Sequence, residues 1–424
     1  MKWVNLEYLL YLCDMYERFI SPFIKDALDD TPVILISGAR QTGKSTLCKQ
    51  LIEKEVFMGK SVTLDDPTTL AAVQTDPLGF LLSQDKHLII DEVQRAPEIF
   101  LSIKKLVDED RENRRFILTG SSEVLTLPAM SDSLAGRIEM HHLWPLSQEE
   151  INGKKSGFLD ILLSPDGRYP DKDCSWEQLV RNMIIGGYPE VLKRDTEIRR
   201  DKWFASYITA ILQKDIKDLS NIEGLTQLPN ILQLLAIRAG STINFSDIAR
   251  LSGIKNTTLQ RYIALLEQVF LINKIPAWTP NAEGKYVKSP KIYINDSGLL
   301  CYLKGEGQHL LEDRTTAGLI LENFVSMEIV KQITWSAHYL KPYHFSTHKG
   351  AEVDIVLEDK YRNLYAIEVK SKASVNERDF RGLKQFAALT GTRFKKGILL
   401  YTGNLTIGGF GGSNLQAVPI SSLW

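Results

Sequence analysis

Eight consecutive residues, Gly38 to Ser45, constrain the fold of this chain more than any other feature of its sequence. They read Gly-Ala-Arg-Gln-Thr-Gly-Lys-Ser and match the phosphate-loop pattern Gly-x-x-x-x-Gly-Lys-Ser/Thr. The segment follows an apolar run, Val33 to Ile36, that predicts a strand, and it precedes a helical pattern, which is the context such a loop requires. Glycines let the backbone N–H groups face phosphates, and the helix N-terminus adds a partial positive charge. The sequence therefore predicts an ATP site.

Two side chains of this loop have specific expected roles. Lys44 is expected to reach the terminal phosphates and to act in catalysis, and Ser45 is expected to bind Mg²⁺. The predicted nucleotide-binding set consists of Gly38, Ala39, Arg40, Gln41, Thr42, Gly43, Lys44, Ser45, Thr46 and Asp91.

An acidic pair supports the same interpretation independently. His87 to Ile90 is an apolar run that ends in Asp91 and Glu92. Asp91 is predicted to bind Mg²⁺ directly or through water, and Glu92 to orient and deprotonate the water that attacks the γ-phosphate. An isolated Asp-Glu pair is usually part of a solvated loop, but downstream of a phosphate loop the catalytic interpretation is favoured.

Short apolar runs alternate with helical patterns between Thr31 and about Pro145. This alternation predicts crossover units, and hence a parallel sheet with helices on both faces. The predicted strands are 33–36, 61–64, 87–90, 116–118 and 138–143.

Two further positions have two interpretations each. The hydroxyl groups of Thr119-Gly120-Ser121-Ser122 follow a predicted strand, where they could sense the γ-phosphate or equally cap the next helix. Arg137 is a candidate catalytic arginine, acting in cis or across a subunit boundary, and a surface salt bridge is its alternative.

The remaining chain divides into regions of different pattern. Its 424 residues favour about two to four domains. An amphipathic helix is expected within 1–30, an irregular loop or insertion at 152–173, and mostly helices over 176–239. Two helices, 245–251 and 256–269, and strands within 270–275 and 291–294 predict a helix-turn-helix with a wing. The predicted domains are an ATPase core at 1–150, a helical lid at 151–240, a winged-helix segment at 241–305 and a C-terminal domain at 306–424.

Several motifs together give a resemblance that runs nearly end to end. Besides the loop and the acidic pair, they are Leu134-Ala135-Gly136-Arg137, Gly186-Gly187-Tyr188-Pro189-Glu190 and the segment Ser289 to Leu300. The chain resembles prokaryotic AAA-type P-loop ATPases that carry a helical lid, a winged-helix segment and a C-terminal restriction-endonuclease-like domain. The resemblance implies an α/β P-loop NTPase core and ATP hydrolysis. Lys214 departs from it, since such proteins usually have arginine there.

Acidic residues in the C-terminal region suggest a second cation site. Asp354 and Glu368 lie in successive apolar β-type runs, and period-two alternation puts Glu368 and Lys370 on one face. Asp354 and Glu368 could hold one Mg²⁺ or Mn²⁺ ion while Lys370 positions or deprotonates a water. The set resembles the Asp…Glu-x-Lys core of restriction-endonuclease-like nucleases, in which Glu322 matches an extra acidic residue. The alternative is a solvated hairpin with a Glu368–Lys370 ion pair.

A basic excess near this motif suggests contact with nucleic acid. The basic residues, which outnumber Glu368, Glu377 and Asp379, are Arg362, Lys370, Lys372, Arg378, Arg381, Lys384, Arg393, Lys395 and Lys396. Such a patch is typical of a footprint on backbone phosphates. The start of the second helix of the helix-turn-helix could contact DNA through Lys255, Asn256, Thr257, Thr258, Gln260 and Arg261. Equally, this region could only pack between its neighbours.

Overall composition restricts the remaining function classes. With 51 basic and 52 acidic side chains, the formal net charge is -1, so attraction to nucleic acid must come from a local patch. The four cysteines, Cys13, Cys48, Cys174 and Cys301, show neither zinc-ligand nor disulfide spacing, which fits a cytoplasmic protein. No membrane span is expected, and a homo-oligomer is left open.

The sequence thus predicts Mg²⁺-dependent ATP hydrolysis coupled to a DNA-directed C-terminal domain, with nuclease activity as one option. The alternative is a nucleotide-gated switch whose C-terminal domain is a platform that binds protein or DNA without cleaving it.

Overall fold

The N-terminal part of the protein is built on a parallel sheet. The computed structural model describes residues 16–111, 115–121, 124, 128–173, 175–216, 225–280, 289–347, 350–410, 412 and 414–424. Five strands pair in the order β2-β3-β4-β1-β5, and every pairing is parallel. They are β1 (Val33–Ser37), β2 (Lys60–Thr63), β3 (His87–Asp91), β4 (Arg115–Gly120) and β5 (Ile138–His142). The predicted parallel α/β core is confirmed.

Alternating residues of the central strand pack on opposite layers of helices. Val33 and Leu35 belong to an apolar cluster that includes Ile103, whereas Ile34 and Ile36 belong to another that includes Leu47. Because successive side chains of a strand point to opposite faces, this division puts helices on both sides of the sheet. The helices of this part are Ser21–Asp30, Lys44–Glu53, Pro67–Thr75, Pro77–Ser83, Ile99–Glu109 and Pro128–Leu134.

A helical region follows the sheet. Its helices are Gln148–Asn152, Phe158–Leu163, Trp176–Ile185, Pro189–Leu192, Glu197–Ala210, which continues as a π-turn over Ile211–Asp215, and Leu228–Ile237. The expectation of an irregular loop at 152–173 is wrong for one part of it. Phe158, Leu159 and Leu162 lie on one face of a short helix and are buried in the core. Burial of this apolar face outweighs the Gly and Pro residues that flank the helix.

The expected helix-turn-helix elements lie near their predicted positions. Helices Phe245–Ser252 and Asn256–Gln268 precede two antiparallel strands, β6 (Ile272–Ile275) and β7 (Lys291–Ile294), in which Ile272 pairs with Ile294. The assignment of these elements as a DNA-reading winged helix stays a prediction, as do the domain boundaries.

A mixed sheet forms the C-terminal part. Its strand order is β12-β13-β11-β10-β9-β8, with antiparallel pairs among β8, β9 and β10 and parallel pairs among β10, β11 and β13. The strands are β8 (Leu340–Ser346), β9 (Glu352–Asp359), β10 (Leu364–Lys370), β11 (Phe394–Tyr401), β12 (Ile407–Gly408) and β13 (Leu415–Pro419). Helices Arg314–Ile333 and Arg381–Thr390 pack on this sheet, whereas Ser297–Lys304 packs on the helices of the preceding region. At the edge of this sheet, β12 pairs antiparallel with β13, with Gly408 opposite Gln416.

One helix joins the C-terminal sheet to the rest of the molecule. Helix Arg314–Ile333 is buried along most of its length, and the Asn323 side chain binds both the N–H and the carbonyl of Ile294 in β7. A single apolar cluster extends from Phe158 to Leu423. A displacement of β7 or of this helix is therefore expected to change the packing of both the helical region and the C-terminal sheet.

Several expectations fall on positions that the structure does not describe: Cys13, Cys174, Ser122, the side chain of Lys214 and the first 15 residues. Within the described ranges, no helix has both the length and the apolar character needed to cross a bilayer.

Candidate functional site

The phosphate loop connects β1 to helix Lys44–Glu53. Gly43 has a φ of 94°, and a Cβ atom on Gly38 would lie 2.3 Å from the Leu143 carbonyl oxygen, so both positions require glycine. The Lys44 ammonium lies inside the loop, where it donates to the carbonyl oxygens of Gly38 at 3.0 Å and Ala39 at 2.9 Å. The loop is thus curled around a cation at the start of a helix, which suits a phosphate chain.

The Asp91 carboxylate lies beside this loop between two hydroxyl groups. Ser45 Oγ donates to Asp91 Oδ2 at 2.8 Å, and the Thr119 hydroxyl donates to Asp91 Oδ1. Both donors are neutral, so the negative charge of the carboxylate is oriented without being neutralised by them. Ser45 and Asp91 therefore fit the coordination of Mg²⁺, which prefers oxygen ligands.

Glu92 is fixed by a neighbour that the sequence analysis missed. Its backbone adopts the left-handed conformation, with a φ of 58°, and its N–H donates to the Thr119 hydroxyl at 3.3 Å. Gln94 Nε2 donates to Glu92 Oε2 at 2.5 Å and to Ser121 Oγ at 3.3 Å. Thr119 and Ser121 thus hold the acidic pair in place, directly or through Gln94. Only the closeness of Gln94 to Glu92 in the sequence could have indicated this role.

A cavity of about 460 Å³ opens over the phosphate loop. This volume lies within the range typical of small-molecule sites. Its lining comes from three parts of the chain: the N-terminal segment, the sheet edge with its loops, and the first helical region. The lining includes Tyr16, Arg18, Arg40 to Leu47, Asp65, Asp91, Glu92, Leu146, Pro189, Glu190 and Lys193.

The buried Arg18 binds the phosphate loop directly. Its guanidinium donates to the Thr42 carbonyl at 3.0 Å and to the Trp144 carbonyl at 2.7 Å, and lies 3.0 Å from the Glu150 carboxylate. A lone arginine in an apolar segment gives no signal of such a role in the sequence.

The Gly-Gly-Tyr-Pro turn lies next to the cavity. Gly187 N–H donates to Asp296 Oδ2 at 2.7 Å, and its carbonyl accepts from Leu146 N–H at 2.8 Å. A Cβ atom on Gly186 would lie 2.2 Å from the same carboxylate, which explains the glycine. The turn therefore connects the nucleotide cavity, which Leu146 and Pro189 line, to Asp296 just after β7.

Arg137 lies away from this cavity. Its carbonyl accepts from the N–H of Val33 at the start of β1, whereas the phosphate loop follows the other end of that strand. The guanidinium binds the Asp108 carboxylate through Nε at 2.5 Å and through a terminal nitrogen at 2.9 Å. The described geometry thus contains the salt bridge and does not bring Arg137 to the nucleotide site of its own chain.

The predicted acidic residues of the C-terminal region do come together, but around a lysine. Lys291 Nζ, at the start of β7, lies 2.8 Å from Glu322, 2.7 Å from Glu352 and 3.4 Å from Asp354. These four residues, with Glu368 and Lys370 beside them, are called the acidic centre below. Lys370 Nζ lies 2.6 Å from Glu368 Oε1, and Asp354 Oδ2 accepts from the N–H of Val369.

Burial changes the protonation of this centre. It raises the pKa of Glu322 to about 7 and that of Glu368 to about 8, and the nearby Asp354 charge adds to both shifts. Burial alone would lower the pKa of Lys291, but the acidic groups around it outweigh burial, so this pKa is raised. The ammonium is therefore charged at neutral pH.

This arrangement does not fit the expected second Mg²⁺ or Mn²⁺ ion. Glu322 and Asp354 both contact Lys291, whose ammonium already provides the positive charge between them. Among the residues that the structure describes, no group of three or more His, Cys, Asp or Glu side chains is arranged to hold a metal ion. Lys291 and Glu352 were not predicted from the sequence. Glu352 could have been found, because it shares a strand face with Asp354.

Several of the basic residues near the acidic centre are buried or paired with carboxylates, so the exposed basic patch is smaller than the sequence suggests. Lys396 is buried and donates to the carbonyl oxygens of Ile161, Ser164 and Gly167 at 3.1, 2.8 and 3.2 Å. Its assignment to the nucleic-acid patch is therefore wrong. Four other basic residues pair with carboxylates: Lys370 with Glu368, Lys372 with Asp379, Lys384 with Glu377, and Arg393 with Glu358.

The helix that was expected to contact DNA presents polar residues to solvent. Lys255, Asn256, Thr257, Gln260 and Arg261 are exposed at the N-terminal end of helix Asn256–Gln268, and Thr258 is half-buried.

Comparisons with known proteins agree with the N-terminal site. Residues 30–152 match a family described as an AAA domain, and residues 177–310 and 317–423 each match a domain of unknown function. An uncharacterised protein of Mycobacterium tuberculosis is 28% identical over 355 residues, which cover 82% of this chain and 72% of that protein. An uncharacterised protein of Haemophilus influenzae is 25% identical over 337 residues, covering 74% and 78% of the respective chains.

Two solved structures show partial similarity to this chain. A RuvB variant of Thermotoga maritima is 17% identical with a TM-score of 0.27, covering 68% of this chain and 94% of that one. A signal transduction ATPase with numerous domains from Pyrococcus horikoshii is 12% identical with a TM-score of 0.25, covering 76% and 47%. The phosphate loop, Ser45, Asp91 and Glu92 all lie within residues 30–152, the part of the chain that is similar to an AAA domain.

Proposed function

We propose that the protein hydrolyses ATP with Mg²⁺ and that the resulting conformational cycle drives a DNA-directed C-terminal domain. The observation that carries the first half is the Asp91 carboxylate held between the Ser45 and Thr119 hydroxyl groups beside the phosphate loop. Oriented but not neutralised, this carboxylate is suited to a divalent cation.

Each residue of the nucleotide site has a defined task in this proposal. Ser45 and Asp91 hold Mg²⁺, which supplies charge neutralisation to the phosphates when bound. The Lys44 ammonium turns from the loop carbonyls to the terminal phosphates, and Glu92 takes a proton from the attacking water. Gln94 keeps the Glu92 carboxylate aimed into the cavity.

Two substitutions test the ATPase assignment. Lys44→Ala should abolish ATP binding or turnover, whereas Glu92→Gln should keep ATP bound while turnover falls by about 100-fold or more. Lys54→Ala is a matched control, because Lys54 lies just beyond the same helix and forms an exposed pair with Glu17. Unchanged hydrolysis in both site variants would refute the assignment.

The DNA-directed half rests on the exposed polar end of helix Asn256–Gln268, which lies in the predicted winged-helix segment before the C-terminal domain. Side chains such as Arg261 are suited to phosphates and base edges. DNA should stimulate ATP turnover, and DNA affinity should fall steeply with added salt. Arg261→Glu should weaken both effects, while Lys25→Glu, on an exposed helix face of the ATPase core, should not. If DNA affinity changes neither with salt concentration nor with Arg261→Glu, this surface is not the DNA-binding site.

A second candidate is a nucleotide-gated switch whose C-terminal domain binds a partner without cleaving DNA. The Lys291 ammonium among Glu322, Glu352 and Asp354 favours it over a nuclease. The discriminating assay incubates duplex, single-stranded and branched DNA with Mg²⁺ or Mn²⁺. Cleavage that is lost in Glu368→Ala and Lys370→Ala would favour the nuclease, and inert wild-type protein would favour the platform.

A cytoplasmic location and a homo-oligomeric assembly are parts of the same proposal. In an oligomer, Arg137 could serve only a neighbouring subunit, after release from Asp108. Sedimentation of Glu92→Gln with and without ATP tests assembly. If Arg137 acts on the nucleotide site of a neighbouring subunit, adding Arg137→Ala subunits to wild-type subunits should lower the ATP turnover of the mixed assembly.

A further inference from the structure

Lys291 is unusual among the lysines of this protein because its side chain has no exposed surface. Its ammonium lies within 3.4 Å of three carboxylates, which come from helix Arg314–Ile333 and from β9. An ammonium group has three N–H donors, a number that matches the three carboxylates around it, those of Glu322, Glu352 and Asp354. A buried charge is tolerated only with such pairing.

The position of this ammonium is fixed by the strand that carries it. Two residues along β7, Tyr293 directs its hydroxyl to the same Glu322 oxygen at 3.0 Å. At the end of the strand, Ile294 is bound on both its N–H and its carbonyl by Asn323. Lys291 therefore enters the acidic centre as part of a rigid element and not as a flexible surface side chain.

Glu368 supplies an independent observation. It is only 7% exposed, and while Oε1 accepts from Lys370, the buried Oε2 has no hydrogen-bond partner in the structure. Three carboxylates thus surround the Lys291 ammonium, and Glu368 lies beside them with one buried oxygen that has no hydrogen-bond partner.

We infer that Lys291 is a tethered cation that takes the place of a divalent metal ion in the acidic centre, so that the centre excludes metal. This inference deepens the second candidate function and rests on no property of the ATP site.

Binding of Mn²⁺ to the full-length, nucleotide-free protein tests the inference, with bound ions counted by EPR. Wild type and Asp354→Asn should bind the same number of ions. Lys291→Met, which keeps the volume and removes the charge, should gain about one Mn²⁺ per chain, and Asp354→Asn in that background should abolish the gain. Lys291→Arg keeps the cation and should match wild type.

Thermal unfolding gives a second readout. Mn²⁺ should raise the melting temperature of Lys291→Met and not that of the double variant, because a ligand that binds only the folded state stabilises it. Wild-type binding that depends on Asp354, or a folded Lys291→Met that gains no ion, would overturn the inference. If Lys291→Met does not fold, the comparison of Mn²⁺ binding by wild type and by Asp354→Asn still tests the inference. ATP turnover of wild type is measured separately, so failure of the ATPase proposal leaves these outcomes readable.

Discussion

Asp91 and Asp354 each belong to a strand whose carboxylate suggested a cation site, yet their surroundings differ. The two oxygens of Asp91 accept from the neutral hydroxyl groups of Ser45 and Thr119. Asp354 accepts from a backbone N–H and lies 3.4 Å from the Lys291 ammonium. Hydroxyl groups orient a carboxylate and leave its charge available, whereas an ammonium neutralises it. The partner of the carboxylate, and not the acidic motif, determines whether a metal ion is suited to the site.

The largest expected effect is on stability at the acidic centre. Lys291→Met should lower the free energy of unfolding by about 3–5 kcal/mol, because it leaves buried carboxylates without their counter-ion. Chemical denaturation measures it. Lys54→Met, which breaks an exposed ion pair with Glu17, should cost less than about 1 kcal/mol. Equal losses in the two variants would mean that Lys291 is no special counter-ion.

At the nucleotide site, removal of the Asp91 charge should affect catalysis and not stability. Asp91→Asn keeps the shape of the side chain but removes the negative charge, so ATP turnover should fall by about 100-fold. Steady-state hydrolysis at varied Mg²⁺ measures it. Asp85→Asn, at an exposed pair with Lys60, serves as control. Full turnover in Asp91→Asn would remove the contrast between the two sites.

The raised pKa of Glu322 predicts a pH dependence that sharpens the contrast. In the unfolded chain this carboxyl loses its proton near its ordinary value of 4.5, but in the folded protein it does so only near 7. The folded state therefore binds more protons in this window, and stability should fall by about 2 kcal/mol as the pH rises from 4.5 to 7. Denaturation at several pH values should show a smaller fall in Glu322→Gln. An identical slope in both proteins would contradict the assigned pKa shift.

The smallest expected effect concerns the hydroxyl group that orients Asp91. Thr119→Val keeps the packing volume but loses the donor to Asp91 and the acceptor for the N–H of Glu92. Turnover should fall by about 10-fold with little change in ATP affinity, since one hydrogen bond to a charged group is lost. Thr75→Val, at an exposed helix position, should have no effect. A large loss of affinity would instead place Thr119 in nucleotide binding.

Much of the nucleotide site could be predicted because its signals are local. The loop Gly38 to Ser45 specifies its own backbone path, and Asp91 follows an apolar strand directly. Parallel pairing of β1, β3 and β4 then brings these segments to one sheet edge. Arg18 and Gln94 were missed because an arginine or a glutamine carries no pattern of its own, and their importance comes from contacts across the fold.

Sequence alone determined the alternation of strands and helices in the N-terminal sheet, the phosphate loop and the acidic residues Glu322, Asp354 and Glu368, because periodicity and turn chemistry act between residues near one another in the chain. Only the tertiary structure decided which charges meet. Lys291 is 31 residues from Glu322 and 63 from Asp354, and no local pattern predicts their contact. The same long-range packing places Arg137 at the end of the sheet opposite the phosphate loop, and it buries Lys396. Charge compensation depends on distance in space, which is why it had to come from the folded chain.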